Sequence, residues 1–219
     1  MRMIHRRTAA LLLCPILGAA CRSTGATPPP NAAPPPLIQP GAPGQPAKVV
    51  APESATDLSR VGHTEADVKF MQGMIGHHLQ AIEMVNYIKT NSTNEDLKKL
   101  GLRIQVSQED EIAMMQGWLK ARRAEVPGPH AHHTGPMMPG MLTSEEMARL
   151  AAAKGPDFDR QFLSGMIKHH NGALIMVDEL FATPGAAQES DIYAFASDVI
   201  ADQRMEMDRM AVMLKELQQ

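Results

Sequence analysis

The sequence predicts an all-α domain, a four-helix bundle assembled from two repeated helical hairpins. Three observations carry this expectation: a segment that recurs within the chain, four long stretches of helical periodicity, and no strand pattern after residue 57. The recurring segment reads Asp67-x-x-Phe70-x-x-Gly73-Met74-Ile75-x-His77-His78-x-x-Ala81-x-x-Met84-Val85. It returns 92 positions later as Asp159-x-x-Phe162-x-x-Gly165-Met166-Ile167-x-His169-His170-x-x-Ala173-x-x-Met176-Val177. Both copies keep a polar His-His pair inside an otherwise apolar pattern, so metal binding is the first chemistry to weigh.

In the first helical stretch Asp67, Phe70, Met74, His77, Ala81, Met84 and Ile88 step by three and four, and Met71, Ile75, His78, Ile82 and Val85 form the adjacent stripe. Both histidines therefore lie on the apolar face, while Gly73, Gly76, Gln80, Glu83 and Tyr87 fall on the opposite side. Thr64-x-x-Asp67 gives the helix a start signal close to a capping box. The second stretch, from about Asn94 to Arg122, sets Leu97, Ile104, Gln108, Glu111, Met115 and Trp118 on one face. Its counterpart, from about Ser190 to Leu217, sets Val199, Gln203, Glu206, Met210 and Met213 alike. The offset here is 95, which places about three extra residues in the second inter-helix loop, around Thr183-Pro184-Gly185. Two hairpins that each bury an apolar stripe pack most simply as a four-helix bundle.

Repeat one spans 60–122 and repeat two 143–219, within a domain over 57–219. The linker between them, 123–142, carries His130, His132, His133, Met137, Met138 and Met141 within twelve residues. Thr143-x-x-Glu146 then caps a short helix to about Ala153, which Lys154-Gly155-Pro156 stops.

Residues 1–20 read as an export signal: Arg2, Arg6 and Arg7, an apolar run from Ala9 to Leu17, then Gly18-Ala19-Ala20 before Cys21. The apolar run is too short for a stable transmembrane helix. Small residues ending at a cysteine are similar to a lipobox, so Cys21 is expected to be lipidated, with plain secretion as the alternative. Residues 22–56, rich in Pro and Ala, read as a disordered tether. These features place the protein in the periplasm or cell envelope, held to the membrane by its N-terminal lipid or else secreted.

Without residues 1–20 the chain keeps 18 basic and 24 acidic side chains, a net charge of −6 that argues against nucleic acid as a partner. Cys14 leaves with the signal and Cys21 is expected to be the lipid site or else the mature N-terminus, so no thiolate is expected to serve the folded domain. Any soft ligand must then be one of the 15 methionines that remain after Met1 and Met3.

Met74 stands three residues before His77 and four before His78, both neighbouring positions on a helix surface. A bundle can bring His77, His78, His169 and His170 together with Met74, Met84, Met166 and Met176, near Glu111, Glu206, Gln108 and Gln203. Imidazole suits copper, zinc, iron and nickel, and thioether sulfur favours Cu(I) and by extension Ag(I). Copper therefore fits this mixture best, with another transition metal as the alternative. The His/Met linker repeats the mixture in the form of a capture arm. The bland alternative is a metal-free core in which Glu111 and Glu206 satisfy the histidines.

These residues resemble the DUF305 family (domain of unknown function 305). The two Asp-x-x-Phe-x-x-x-Met-x-x-His-His-x-x-Ala-x-x-Met segments carry the resemblance, with the Gln-x-x-Glu helices and the Met138-Pro-Gly-Met141-x-x-x-Glu145-Glu146 linker. It covers about residues 60–219 and implies an exported, ferritin-like domain of two helical pairs. His77, His78, His169 and His170 become the functional pairs, and copper binding the activity of some members. One departure breaks the repeat: Gln80 stands where the second copy has Gly172. The leading expectation is a non-enzymatic exported protein that sequesters copper or transfers it to a donor or acceptor protein. The alternatives are a ferritin-like di-metal redox enzyme and a structural envelope protein with a metal-free His-Glu network.

Overall fold

The computed structural model of the chain describes residues 37–39, 46–50, 62–135 and 137–217. The chain divides into two units, Met1–Asp57 and Leu58–Gln219. In the first, β1 (Leu37–Gln39) pairs antiparallel with β2 (Lys48–Val50), Leu37 opposite Val50 and Gln39 opposite Lys48. The ladder lies within the stretch 22–56 that the sequence reads as a tether, most of which is outside the described residues. Leu37-Ile38 and Val49-Val50 are apolar, mostly β-branched pairs in a stretch of Pro, Ala and Gly, and such side chains favour pleated backbone. The export signal over 1–20 and lipidation at Cys21 lie outside the described residues.

The second unit is a four-helix bundle of two hairpins. Its long helices are α1 (Glu65–Asn91), α2 (Glu95–Ala121), α5 (Gly155–Ala182) and α6 (Ser190–Glu216), with α3 (Ala131–Thr134) and α4 (Ser144–Ala152) in the connection between the hairpins. Residues 92–94 join the first hairpin and residues 183–189 the second; the second loop is four residues longer and α5 ends one residue sooner in the repeat, which together give the change of offset from 92 to 95.

Thr64 and Asp67 close a full capping box at the start of α1. The Thr64 N–H and hydroxyl donate to Asp67 Oδ2 at 2.6 and 2.8 Å, while Asp67 Oδ1 accepts from the Ala187 N–H at 2.7 Å. One buried carboxylate thus starts α1 and pins the loop of the other hairpin to it. Its repeat partner Asp159 is buried too, yet α5 starts without a side-chain cap.

The apolar core forms two clusters. One holds Phe70, Ile75, Ile112, Trp118, Val177 and Phe195, and the other holds Val85, Ile88, Leu97, Ile104, Phe162 and Met210. Each fully buried large apolar side chain contributes roughly 1.5–3 kcal/mol relative to exposure. Helices α1 and α6 enter the first cluster before the second, whereas α2 and α5 do the reverse. Hence α1 and α6 run one way and α2 and α5 the other, and the chain from α2 to α5 must cross the length of the bundle. One long crossover is the ferritin-like connection.

The crossover follows α1 closely. Gln72 Nε2 donates to the Glu125 carbonyl (2.8 Å), the Gln80 amide exchanges two hydrogen bonds with the Leu142 backbone (3.0 and 2.8 Å), and Asn91 Nδ2 donates to the Ala151 carbonyl (2.9 Å). No helix among the described residues is long and apolar enough to cross a membrane.

Candidate metal centre

Between the two apolar clusters every long helix contributes buried polar residues: His77 and His78 from α1, Gln108 from α2, His169 and His170 from α5, Gln203 and Glu206 from α6. Glu111 completes the set from α2, with 17% of its side chain exposed. Positions that continue an apolar stripe are thus polar at one level of the bundle on all four helices. Such a layer persists in a core only where its groups are partnered or used.

The partners fix the tautomers. His77 Nε2 donates to the Pro139 carbonyl and His169 Nε2 to the His77 carbonyl, both at 3.0 Å. A carbonyl only accepts, so the proton of each neutral ring is on Nε2 and the lone pair on Nδ1. His78 Nε2 faces Glu111 Oε2 at 2.5 Å and His170 Nε2 faces Glu206 Oε2 at 2.7 Å, and an ionised carboxylate likewise requires the proton on Nε2. All four Nδ1 atoms are buried and none has a hydrogen-bond partner, and the same holds for both amide atoms of Gln108 and of Gln203. The His77 and His169 rings lie 3.8 Å apart between centroids, and each is 6.3 Å from its own neighbour in the pair.

Burial, with repulsion from His78, pushes His77 down to about 3, and burial with repulsion from His77 holds His169 well below the ordinary imidazole value. Both are therefore neutral near pH 7, the form a metal requires. Asp202 is drawn upward by burial, then by Glu111 and Glu206. It is a third carboxylate at this level, which the repeat did not reveal because Ser107 occupies the matching position.

The methionines flank the layer. Met74 and Met176 belong to one apolar cluster and Met84 and Met166 to the other, all buried. A cleft of about 920 Å³ between α1, α5 and the crossover is lined by Gly73, Gly76, His130, Met138 and Met176. A second, of about 800 Å³, is lined by Asp110, Glu111, Asp198 and Asp202. Glu111 thus connects buried His78 with an acidic surface.

The linker is packed rather than extended as an arm. Met141 is buried, Met138 half-buried and Met137 exposed. Met138 Sδ would lie 3.1 Å from a Cβ at Gly73, and a Cβ at Gly172 would lie 2.0 Å from the Pro139 oxygen. The Gln80/Gly172 mismatch follows: Gln80 binds the crossover backbone while Gly172 makes way for it. His132 and His133 instead meet Glu83, which sequence placed on the far side of α1 without a role. Among the described residues these three form the one set of His, Cys or carboxylate ligand atoms within 4.8 Å of one another, and the core histidines do not gather that tightly. Burial, and next the Glu83 carboxylate, push the Tyr87 phenol up to about 12.

Fold and polar layer define a class, helical bundles of two hairpins with buried paired histidines. The chain belongs to the DUF305 family, whose model, described as a domain of unknown function, matches residues 67–214. The chain is similar to a DUF305 protein from Streptomyces coelicolor (28% identity, TM-score 0.62, covering 69% of this chain and 93% of that one). It is similar also to a DUF305 fragment from Deinococcus radiodurans (28%, 0.61, 70% and 98%). CopM in its Cu(I)-bound form matches at 28% identity and TM-score 0.54, over 68% of this chain and 96% of CopM, and CopM is also solved with Cu(II) and with Ag. No curated protein matches the chain.

Proposed function

We propose that this protein is an exported metal-binding protein that sequesters copper, or hands it on to a partner protein, and takes silver as a chemical analogue. The observation that carries the reading is the set of four buried, unpartnered Nδ1 lone pairs, each on a ring whose Nε2 is already held. A metal-free His-Glu network accounts for the Nε2 atoms alone. It leaves four buried ring nitrogens unsatisfied at roughly 1–3 kcal/mol apiece.

The donor chemistry selects the cargo. Imidazole nitrogens beside buried thioethers suit Cu(I) and Ag(I), and CopM, which shares this fold, is solved with both. Met74 and Met166 each precede a His-His pair by three and four positions, so they are the thioethers nearest the rings along the helix. Glu111 and Glu206 face Nε2, which gives them the role of orienting the rings, as carboxylates behind metal-bound histidines do. That weighs against a di-metal redox enzyme of the ferritin-like kind, which uses its glutamates as ligands. Export through residues 1–20 and a lipid at Cys21 would place the domain at the envelope, and the Streptomyces coelicolor relative is named as a secreted protein.

The test is an anaerobic titration with Cu(I) and with Ag(I), comparing wild type with His77→Ala/His169→Ala and His78→Ala/His170→Ala while circular dichroism monitors folding. Each double variant is expected to lose the tight equivalents, and unchanged stoichiometry in both would overturn the reading. Met74→Leu/Met166→Leu conserves volume and keeps the fold. It is expected to weaken Ag(I) binding at least tenfold.

A further inference from the structure

The side of α1 that faces away from the bundle core carries a second constellation. Glu83 Oε2 lies 3.0 Å from His132 Nε2 and 3.6 Å from His133 Nε2. Three ligand atoms on a tetrahedral ion with bonds of about 2.0–2.1 Å stand about 3.3 Å apart. The observed separations bracket that spacing, with the two rings 3.9 Å apart between centroids.

Glu83 is held from behind, and the two imidazoles are placed by the turn that carries them. The Tyr87 hydroxyl donates to Glu83 Oε1 at 2.6 Å, which leaves Oε2 turned to the imidazoles. His132 and His133 sit on α3, whose turn is closed by the Ala131 N–H on the Gly128 carbonyl (3.1 Å) and the Gly135 N–H on the Ala131 carbonyl (2.9 Å). The His132 side chain is 7% exposed and its Nδ1 is buried without a partner, whereas His133 is 57% exposed. The set is therefore rigid on one side and open to water on the other, where a fourth ligand belongs. A simple ion pair needs one imidazole. His133, at 3.6 Å, makes no hydrogen bond to Glu83, and a cation shared by all three uses it.

We propose that Glu83, His132 and His133 form a second metal site, for a borderline divalent ion such as Zn(II) or Cu(II), that fastens the crossover to α1. The donor set of two imidazoles and a carboxylate holds no thioether, so it does not select Cu(I) or Ag(I) as the core layer does. Fastening has a consequence for that layer, because the crossover also supplies Pro139, the acceptor for His77, and Met138, which packs over Gly73 and Gly76.

The experiment is isothermal titration of the full chain with Zn(II), beside the Ag(I) titration. Wild type is expected to bind one tight Zn(II) equivalent. Glu83→Gln and His133→Ala, the latter at an exposed position, are each expected to weaken Zn(II) at least tenfold and leave Ag(I) stoichiometry unchanged. Zn(II) binding that survives both substitutions, or no Zn(II) binding to wild type at micromolar concentration, overturns the site. Met74→Leu/Met166→Leu separates the two readings, since loss of Ag(I) binding there leaves the Zn(II) result standing, and loss of Zn(II) binding there overturns the second site.

Discussion

An imidazole has two nitrogens, and what one of them touches decides what the other has to offer. In this bundle the four Nε2 atoms face two carbonyls and two carboxylates, so the four Nδ1 atoms are left buried and unpartnered. The two kinds of partner are not equivalent. Pro139 and His77 supply neutral carbonyls, whereas Glu111 and Glu206 supply charge that makes His78 and His170 stronger donors to a metal. Glu111→Gln and Glu206→Gln preserve shape and remove that charge. Each is expected to lower Cu(I) or Ag(I) affinity by about 10–100-fold, the range for partners behind metal-bound histidines. Competition with a Cu(I) chelator measures it, and unchanged affinity in both variants would show that the carboxylates are structural only. Sequence placed these residues on the buried faces by periodicity. It could not show which nitrogen of each ring is engaged, because that depends on backbone carbonyls brought in from another segment.

At the scale of elements the crossover is the part that sequence did not reveal. Helical periodicity and the internal repeat made the four long helices, the loop length change and the buried His pairs legible, since each is written as a pattern along one strand of text. The residues on the other side of α1, Gly73, Gly76, Gln80, Glu83 and Tyr87, also recur by three and four, but their partners lie in an aperiodic linker with nothing to set its register. The structure shows them as a track. Met138 packs over the two glycines, Leu142 is bound by Gln80, and His132 by Glu83. Gly172 on α5 is the matching recess, where a methyl group would collide with the Pro139 backbone at 2.0 Å, and backbone gives way less readily than a side-chain end. Gly172→Ala is therefore expected to destabilise the domain by roughly 1–3 kcal/mol, the cost of overpacking. Gly117→Ala, in α2 with nothing within 4 Å of the added atom, is the control and is expected to be neutral or stabilising by about 0.5–1 kcal/mol. Urea unfolding of the two variants reads the difference, and equal midpoints would show that the crossover does not press on α5.

For the whole molecule, the polar layer divides one apolar core into two and makes the stability of the metal-free domain depend on pH. His77 is held at about 3 and His169 well below the ordinary imidazole value, both first by burial, so both fold in the neutral form. In the unfolded chain both residues are ordinary histidines that take up protons below about pH 6.5, while folded His77 does not until the pH approaches 3 and folded His169 resists protonation in the same direction. The stabilising difference is complete above pH 6.5 and is lost as the pH falls from 6.5 toward 3. Below pH 6.5 such a histidine costs up to about 1.4 kcal/mol per pH unit, so His77 alone removes about 2 kcal/mol by pH 5, and His169 adds to the fall in the same direction. That is a large share of the 5–15 kcal/mol typical of a domain. Denaturant titrations of metal-free protein are expected to show a midpoint that is flat above pH 7 and falls steeply through pH 6 and 5. Substituting His77 and His169 by Gln, which cannot be protonated, is expected to flatten that fall even if it lowers the midpoint at pH 7. A slope in the double variant equal to that of wild type would place the acid sensitivity elsewhere in the bundle. Ag(I) added at pH 5.5 tests the same layer from the other side. A metal that occupies Nδ1 binds the folded chain in preference to the unfolded one and is expected to raise the midpoint there in wild type and not in the double variant.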